Sequence, residues 1–215
     1  MQVIFDNLGA YWNGFIVTVQ LLLGGGLGAA ILGLLVAVLR ISPVASLRAI
    51  ATGYTELVRN TPLTLVFFFI AIVLPTLQIS FDYLPGAMIA LSVYTSPFVA
   101  EALRSGINGV PIGQAEAARS LGLTFSQTLT IVILPQAVRM VVPPLINVFI
   151  ALTKNTSVAG GFYVAELFAT SKVLANANGD AVIPVLVGVA FFYLVITVPL
   201  GQIAAFIERK VAVLR

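Results

Sequence analysis

Charge-free apolar intervals dominate the chain. Asn7–Leu39, Asn60–Phe81, Tyr83–Ala100 and Ala181–Ile207 contain no Asp, Glu, Lys or Arg. Intervals of this length match the roughly 20 apolar residues that an α-helix needs to cross a bilayer. The pattern predicts about five transmembrane helices, at about Phe15–Leu39, Pro62–Ile79, Gly86–Leu103, Val138–Val158 and Val182–Phe206. The fold class is therefore all-α and polytopic, one transmembrane domain over residues 1–215. Within the first span Gly25, Ala29, Gly33 and Ala37 recur at i, i+4. That stripe lets another helix approach closely, within this chain or at a subunit interface.

The polar intervals carry their own signals. Residues 40–61 read as a basic loop that Pro62 brings to an end. Ser120, Thr124, Ser126, Gln127, Thr128 and Thr130 make residues 120–130 too polar for lipid, although no charge interrupts residues 120–138. That stretch reads as two short helices joined at Gly122, within a loop of about 108–136. Pro111 suits a helix start, Gly122 a left-handed helix end, and Thr124 with Gln127 a capping box for a helix closing near Pro135. The knob so formed is a docking element or a helix lying on headgroups. A second polar segment, about 159–181, holds Glu166 and Lys172 and suits a short interfacial helix.

Of the 11 Lys and Arg, nine fall on one side of a five-span chain, leaving Lys154 and Lys172 on the other. The positive-inside rule then makes the nine-residue side cytoplasmic, with the N-terminus outside and the C-terminus cytoplasmic. Composition agrees with a membrane protein: 60% hydrophobic, 9% charged, mean hydropathy +1.07. Scattered basic residues make no nucleic-acid patch. With no Cys or His, thiolate and imidazole chemistry is absent and no metal site is expected.

Polar groups inside apolar segments are the candidate functional residues. Glu101 and Arg104, three apart, form an ion pair or a gate, and Glu56 and Arg59 are further candidates for that role. Pro97 frees backbone carbonyls in a helix that also carries Thr95 and Ser96, so these residues are candidates to face a pathway. Lys154, with Asn155, Thr156 and Ser157, snorkels to the headgroups or lines the pathway and holds a substrate carboxylate. Ser157 beside Lys154 is also the one weak dyad that an intramembrane enzyme would need.

The residues Glu116-Ala117-Ala118, Gly122 and Val132-Ile133-Leu134-Pro135 resemble the EAA-x3-G-x9-I-x-L-P loop of ABC-importer permease subunits, with Val132 in place of Ile. ELVRNTPL, YTSPFVAEALRSGI, QAEAARSLG and LTKNTS resemble the polar amino-acid uptake branch, most closely its glutamate permeases. The resemblance covers the chain from about Trp12 onward. It implies a multi-pass subunit of a prokaryotic cytoplasmic (inner) membrane that is not itself an enzyme. Its implied partners are a second permease subunit, an external substrate-binding protein and a cytoplasmic ABC ATPase dimer that binds ATP and Mg. The implied ATPase-coupling residues are Glu116, Ala117, Ala118, Arg119, Gly122, Leu134 and Pro135. No G-x-x-x-x-G-K-[ST] occurs in the sequence, so nucleotide binding falls to the partner. A self-sufficient secondary amino-acid carrier is the alternative, and no inverted repeat supports it.

Overall fold

The computed structural model describes residues 2–212. After one helical turn, Gln2–Asp6, the chain forms α1 (Leu8–Arg40), α2 (Ala45–Arg59) and α3 (Leu63–Thr76), then α4 (Tyr83–Asn108) and α5 (Ile112–Ser120). It continues with α6 (Phe125–Gly161), α7 (Leu167–Ala177) and α8 (Val182–Ala212). Helices α1, α4, α6 and α8 are long and apolar enough to cross a membrane.

The small-residue stripe of α1 packs within the chain, against α4. A Cβ on Gly25 would lie 2.9 Å from Leu91 Cβ, and one on Gly33 would lie 2.6 Å from Val99 Cβ and 2.8 Å from the Ser96 carbonyl. Without side chains in the way, the hydroxyl of Ser92 reaches across to the Gly25 carbonyl at 3.1 Å. Contacts advance along both helices together, so α1 and α4 run parallel, and the chain between them must return across the bundle. The return is made by α2 and α3, which meet at a bend of 104°.

Two expectations are corrected here. The anticipated second span is a helix over Leu63–Thr76 only, about 21 Å long at 1.5 Å per residue, short of a roughly 30 Å hydrocarbon core. The basic loop before it is mostly helix. Ala51, Thr55 and Val58 form a buried face at i, i+4, i+7, and the Thr55 hydroxyl donates to the Ala51 carbonyl at 2.8 Å. Its Arg residues mark the exposed side of an amphipathic helix rather than a loop.

A third correction concerns residues 125–136. They do not close a separate short helix at Pro135 but run straight into α6 through a π-helical stretch, Thr128–Ile133. Pro135 has no N–H to give, and its ring crowds the carbonyl four residues back; widening the preceding turn relieves this. The same arrangement recurs in α3, where π-helical Phe69–Val73 precedes Leu74-Pro75.

Helix α6 runs antiparallel to α4, in contact close enough that a Cβ on Gly106 would meet Val141 Cα at 2.9 Å. At the far end of α6, Glu166 is fully buried and caps α7. It accepts from the Phe168 and Ala169 N–H groups at 2.8 and 2.7 Å and from the Tyr193 hydroxyl at 2.9 Å. Burial pushes this carboxyl above its ordinary range, against the opposing pull of those donors and of Lys172. The Leu167 N–H donates to Thr18 Oγ1 at 3.2 Å and the Tyr11 hydroxyl to the Val185 carbonyl at 3.1 Å. The starts of α1, α7 and α8 therefore share one end of the bundle, and α8 finishes at the other.

Two glycines give opposite expectations. Gly33→Ala forces a methyl against β-branched Val99, so it should lower the thermal midpoint in detergent by about 2–4 °C per kcal/mol lost. Gly53→Ala, in exposed α2 with nothing within 4 Å of the new Cβ, should raise it, since Ala outranks Gly by about 1 kcal/mol in a helix.

Candidate functional site

Halfway along the bundle, α4 and α6 enclose a cavity of about 340 Å³ lined by Tyr94, Thr95, Phe98, Asn147, Ala151 and Asn155, among others. Asn147 and Ala151 are exposed, so the cavity opens sideways out of the chain. Thr95 is 3% exposed, and its hydroxyl has no hydrogen-bond partner among the described residues. An orphaned buried hydroxyl at a cavity wall is free to bond whatever enters there, water or solute.

The sequence candidates divide. Thr95 and Asn155 meet at this cavity. Ser96 does not: its hydroxyl lies 2.7 Å from the Tyr54 hydroxyl. The Tyr54 hydroxyl in turn donates to the Val93 carbonyl at 2.9 Å. That carbonyl is the one Pro97 leaves without its helical donor. Contrary to the expectation that it faces a pathway, Tyr54 of α2 satisfies it. Thr156 is buried and donates to the Thr153 carbonyl, and Ser157 donates to the Lys154 carbonyl, each at 2.7 Å. These two hydroxyls serve the 3₁₀ end of α6. Lys154 is exposed and does not line the cavity. Asn147, Tyr94 and Phe98 were missed; the signal for Asn147 was its position as the one amide in the apolar run MVVPPLINVFI.

Beyond Phe98, toward the α5 end of the bundle, Glu101 gathers three arginines. The Arg40 guanidinium donates to its Oε1, Arg104 Nη2 donates to Oε2 at 3.1 Å, and Arg59 Nη1 stands 3.7 Å from Oε1. The expected Glu101–Arg104 pair is thus part of a cluster that ties the ends of α1, α2 and α4 together. Glu56 is exposed and takes no part in it; its carbonyl accepts from the Asn60 side chain at 2.7 Å. Arg40 had only a topological meaning in the sequence.

At the same end, α5 stands out from the bundle. Gly122 adopts φ +82, its N–H bonds the Arg119 carbonyl at 2.9 Å, and the Leu123 N–H bonds the Ala118 carbonyl at 3.2 Å. This pairing closes a helix on a left-handed residue. The capping box of Thr124 and Gln127 then opens α6. Glu116, Ala117, Arg119 and Gly122 are exposed, as are Ile112, Leu121 and Phe125 at 78, 83 and 71%. Ala118 is buried and packs inward; Leu134 and Pro135 lie in α6 itself. Behind α5 a groove of about 630 Å³ includes Arg119 and Thr128.

A helical bundle with a broken return span, a largely apolar cavity edged by a few uncharged polar side chains between two spans, and an exposed apolar helix hairpin defines a membrane permease subunit. The chain belongs to the family of binding-protein-dependent transport system inner membrane components, matched over residues 29–213. It is 39% identical over 210 residues to the probable glutamine ABC transporter permease protein GlnM of Bacillus subtilis, covering 98% of this chain and 97% of that one. It is 40% identical over 230 residues to the glutamate transport system permease protein GluC of Corynebacterium efficiens, covering 99% of each. A crystal structure of an amino acid ABC transporter with histidines superposes with a TM-score of 0.88 at 27% identity, covering 96% of each chain.

Thr95→Val replaces an unpartnered buried hydroxyl by a methyl group of the same shape. It should stabilise the empty protein by about 1 kcal/mol, seen as a higher thermal midpoint in detergent; a lower midpoint would mean that the hydroxyl has a partner.

Proposed function

We propose that this chain is the membrane-spanning subunit of an ATP-driven importer and passes a polar amino acid, glutamate or a near relative such as glutamine, along the α4–α6 cavity. The observation that carries this reading is the continuity of α6. One helix begins at the exposed α5 hairpin and carries Asn147 and Asn155 along its length, so a push on the hairpin reaches the cavity within a single element.

The partners follow from that arrangement. A cytoplasmic ABC ATPase dimer, which binds ATP and Mg, receives α5 through Glu116, Ala117, Arg119 and the apolar Ile112, Leu121 and Phe125. A second permease subunit, identical or a sister, covers the side on which the cavity opens. An external binding protein delivers substrate at the α7 end. In this reading the N-terminal end faces outside and the α5 end the cytoplasm. The arginine-rich cluster around Glu101 then lies where the positive-inside rule favours it, and the parallel course of α1 and α4 supports α2 and α3 as one crossing.

Gly122→Val tests the coupling. The new side chain has open space around it, so its cost is the strained left-handed backbone, about 1–2 kcal/mol, confined to the hairpin. Membrane insertion should be normal and ATP-driven amino-acid uptake in proteoliposomes should fall at least tenfold. Unchanged uptake would refute the coupling role.

A further inference from the structure

The three arginines around Glu101 are not equivalent. Arg40 and Arg104 hydrogen-bond the carboxylate, and the Arg40 side chain is only 12% exposed. Arg59 stands 3.7 Å away with its side chain 42% exposed, too far for a hydrogen bond. Its other neighbour is the ring of Phe98, with the guanidinium carbon 5.7 Å from the ring centroid. Phe98 is itself a wall of the α4–α6 cavity. Arg59 is thus the cation of the cluster left free to re-pair, and it is separated by the ring of Phe98 from a cavity whose described lining residues carry no charge.

We infer that Arg59 is the group that receives the α-carboxylate of the transported amino acid as it occupies the α4–α6 cavity. Glu101 holds Arg59 at a distance while the site is empty, and Phe98 keeps its planar fork beside the cavity. The inference rests on the importer reading of that cavity and adds a residue to it. Three features support the assignment. A guanidinium offers two parallel N–H groups that match a carboxylate. One carboxylate against three arginines leaves the cluster with two uncompensated positive charges, so a second carboxylate is electrostatically welcome there. Arg59 ends α2, which joins α3 through a bend and a short Asn60-Thr61-Pro62 link, giving its side chain an attachment that a mid-helix residue lacks. Neither Arg59 nor Lys154, the cation that the sequence suggested for this task, lines the cavity directly, but only Arg59 stands over an aromatic ring of its wall.

The test uses the assembled complex, permease subunits with their co-purified ATPase, in nanodiscs without binding protein. Competition against tritiated L-glutamine and tritiated L-glutamate is measured with each amino acid as free α-acid and as α-carboxamide. In the wild type the acids should compete about tenfold better than the amides, the worth of one good charged pair. In Arg59→Gln that preference should vanish, because the acid falls to the level of the amide. Arg59→Lys, which keeps the charge without the fork and is the gentler change, should retain part of it, and Lys154→Met should retain all of it. A purely structural Arg59 would alter affinity for acid and amide alike and leave their ratio intact, which would overturn the assignment. Loss of the preference in Lys154→Met, or a wild-type complex that binds neither amino acid, would overturn it as well. ATP-driven uptake by the wild-type complex with its binding protein is measured in parallel. Uptake with an unmoved acid-to-amide ratio sinks only the role of Arg59, whereas absence of uptake sinks the importer reading beneath it.

Discussion

Everything in this bundle is built on the contact between α1 and α4, in which the bare backbone of α1 receives side chains of α4. Gly25 and Gly33 have no Cβ to keep Leu91 and Val99 away, and the helices come close enough for the Ser92 hydroxyl to bond the Gly25 carbonyl. Without a large hydrophobic gain between helices in lipid, such close packing and the hydrogen bonds it permits are what hold spans together. The contact also fixes direction. Parallel neighbours demand a return segment, and the return segment delivers Tyr54 and Arg59 to the flank of α4. The cavity, its unpaired threonine and the arginine cluster all sit on α4 surfaces that this one packing decision leaves uncovered.

A second theme is how the structure treats prolines. Four of the membrane helices carry them internally, and each removes one backbone donor that lipid will not replace. At Pro97 the abandoned carbonyl of Val93 is satisfied from another helix, by the Tyr54 hydroxyl. At Pro75 and Pro135 the helix widens into a π turn just before the ring. The first device ties α2 to α4, and the second keeps α3 and α6 continuous. Proline here shapes connections between elements more than it breaks them.

Much of this was legible beforehand, and the reasons are physical. Charge-free runs report membrane burial directly, so α1, α4 and α8 were visible, whereas only the second half of α6, between Arg139 and Lys154, read as a span and its polar first half read as loop. The hairpin was visible through local chemistry, because Gly122 and the Thr124–Gln127 box act within five residues of each other. What stayed hidden depended on distant partners. The helicity of Ala45–Arg59 comes from burying Ala51, Thr55 and Val58 against spans elsewhere in the chain, and a loop rich in Arg looks the same until that face has somewhere to go. Thr95 and Asn155 were legible as polar residues in apolar company. Lys154 was legible on the same ground yet lies off the cavity, since periodicity gives the face of a helix only when the neighbouring helix is known. Arg40 had only a topological reading, and Arg59 was a candidate for an ion pair or gate with no partner assigned, until folding brought both to Glu101.

The unbroken course of α6 has a mechanical consequence. Its 37 residues make a rod about 55 Å long, and a rod that long magnifies angles. A tilt of about 5° at the hairpin end carries the opposite end through about 5 Å, roughly one helical turn. The short helix α7 follows that opposite end after five residues and is tied by Glu166 to Tyr193 of α8, so a displacement there is passed on to α7 and α8. If the hairpin end is what moves, the cavity partway along the rod and the surface at its far tip are displaced by the same tilt, so the two are geared to one another rather than worked separately.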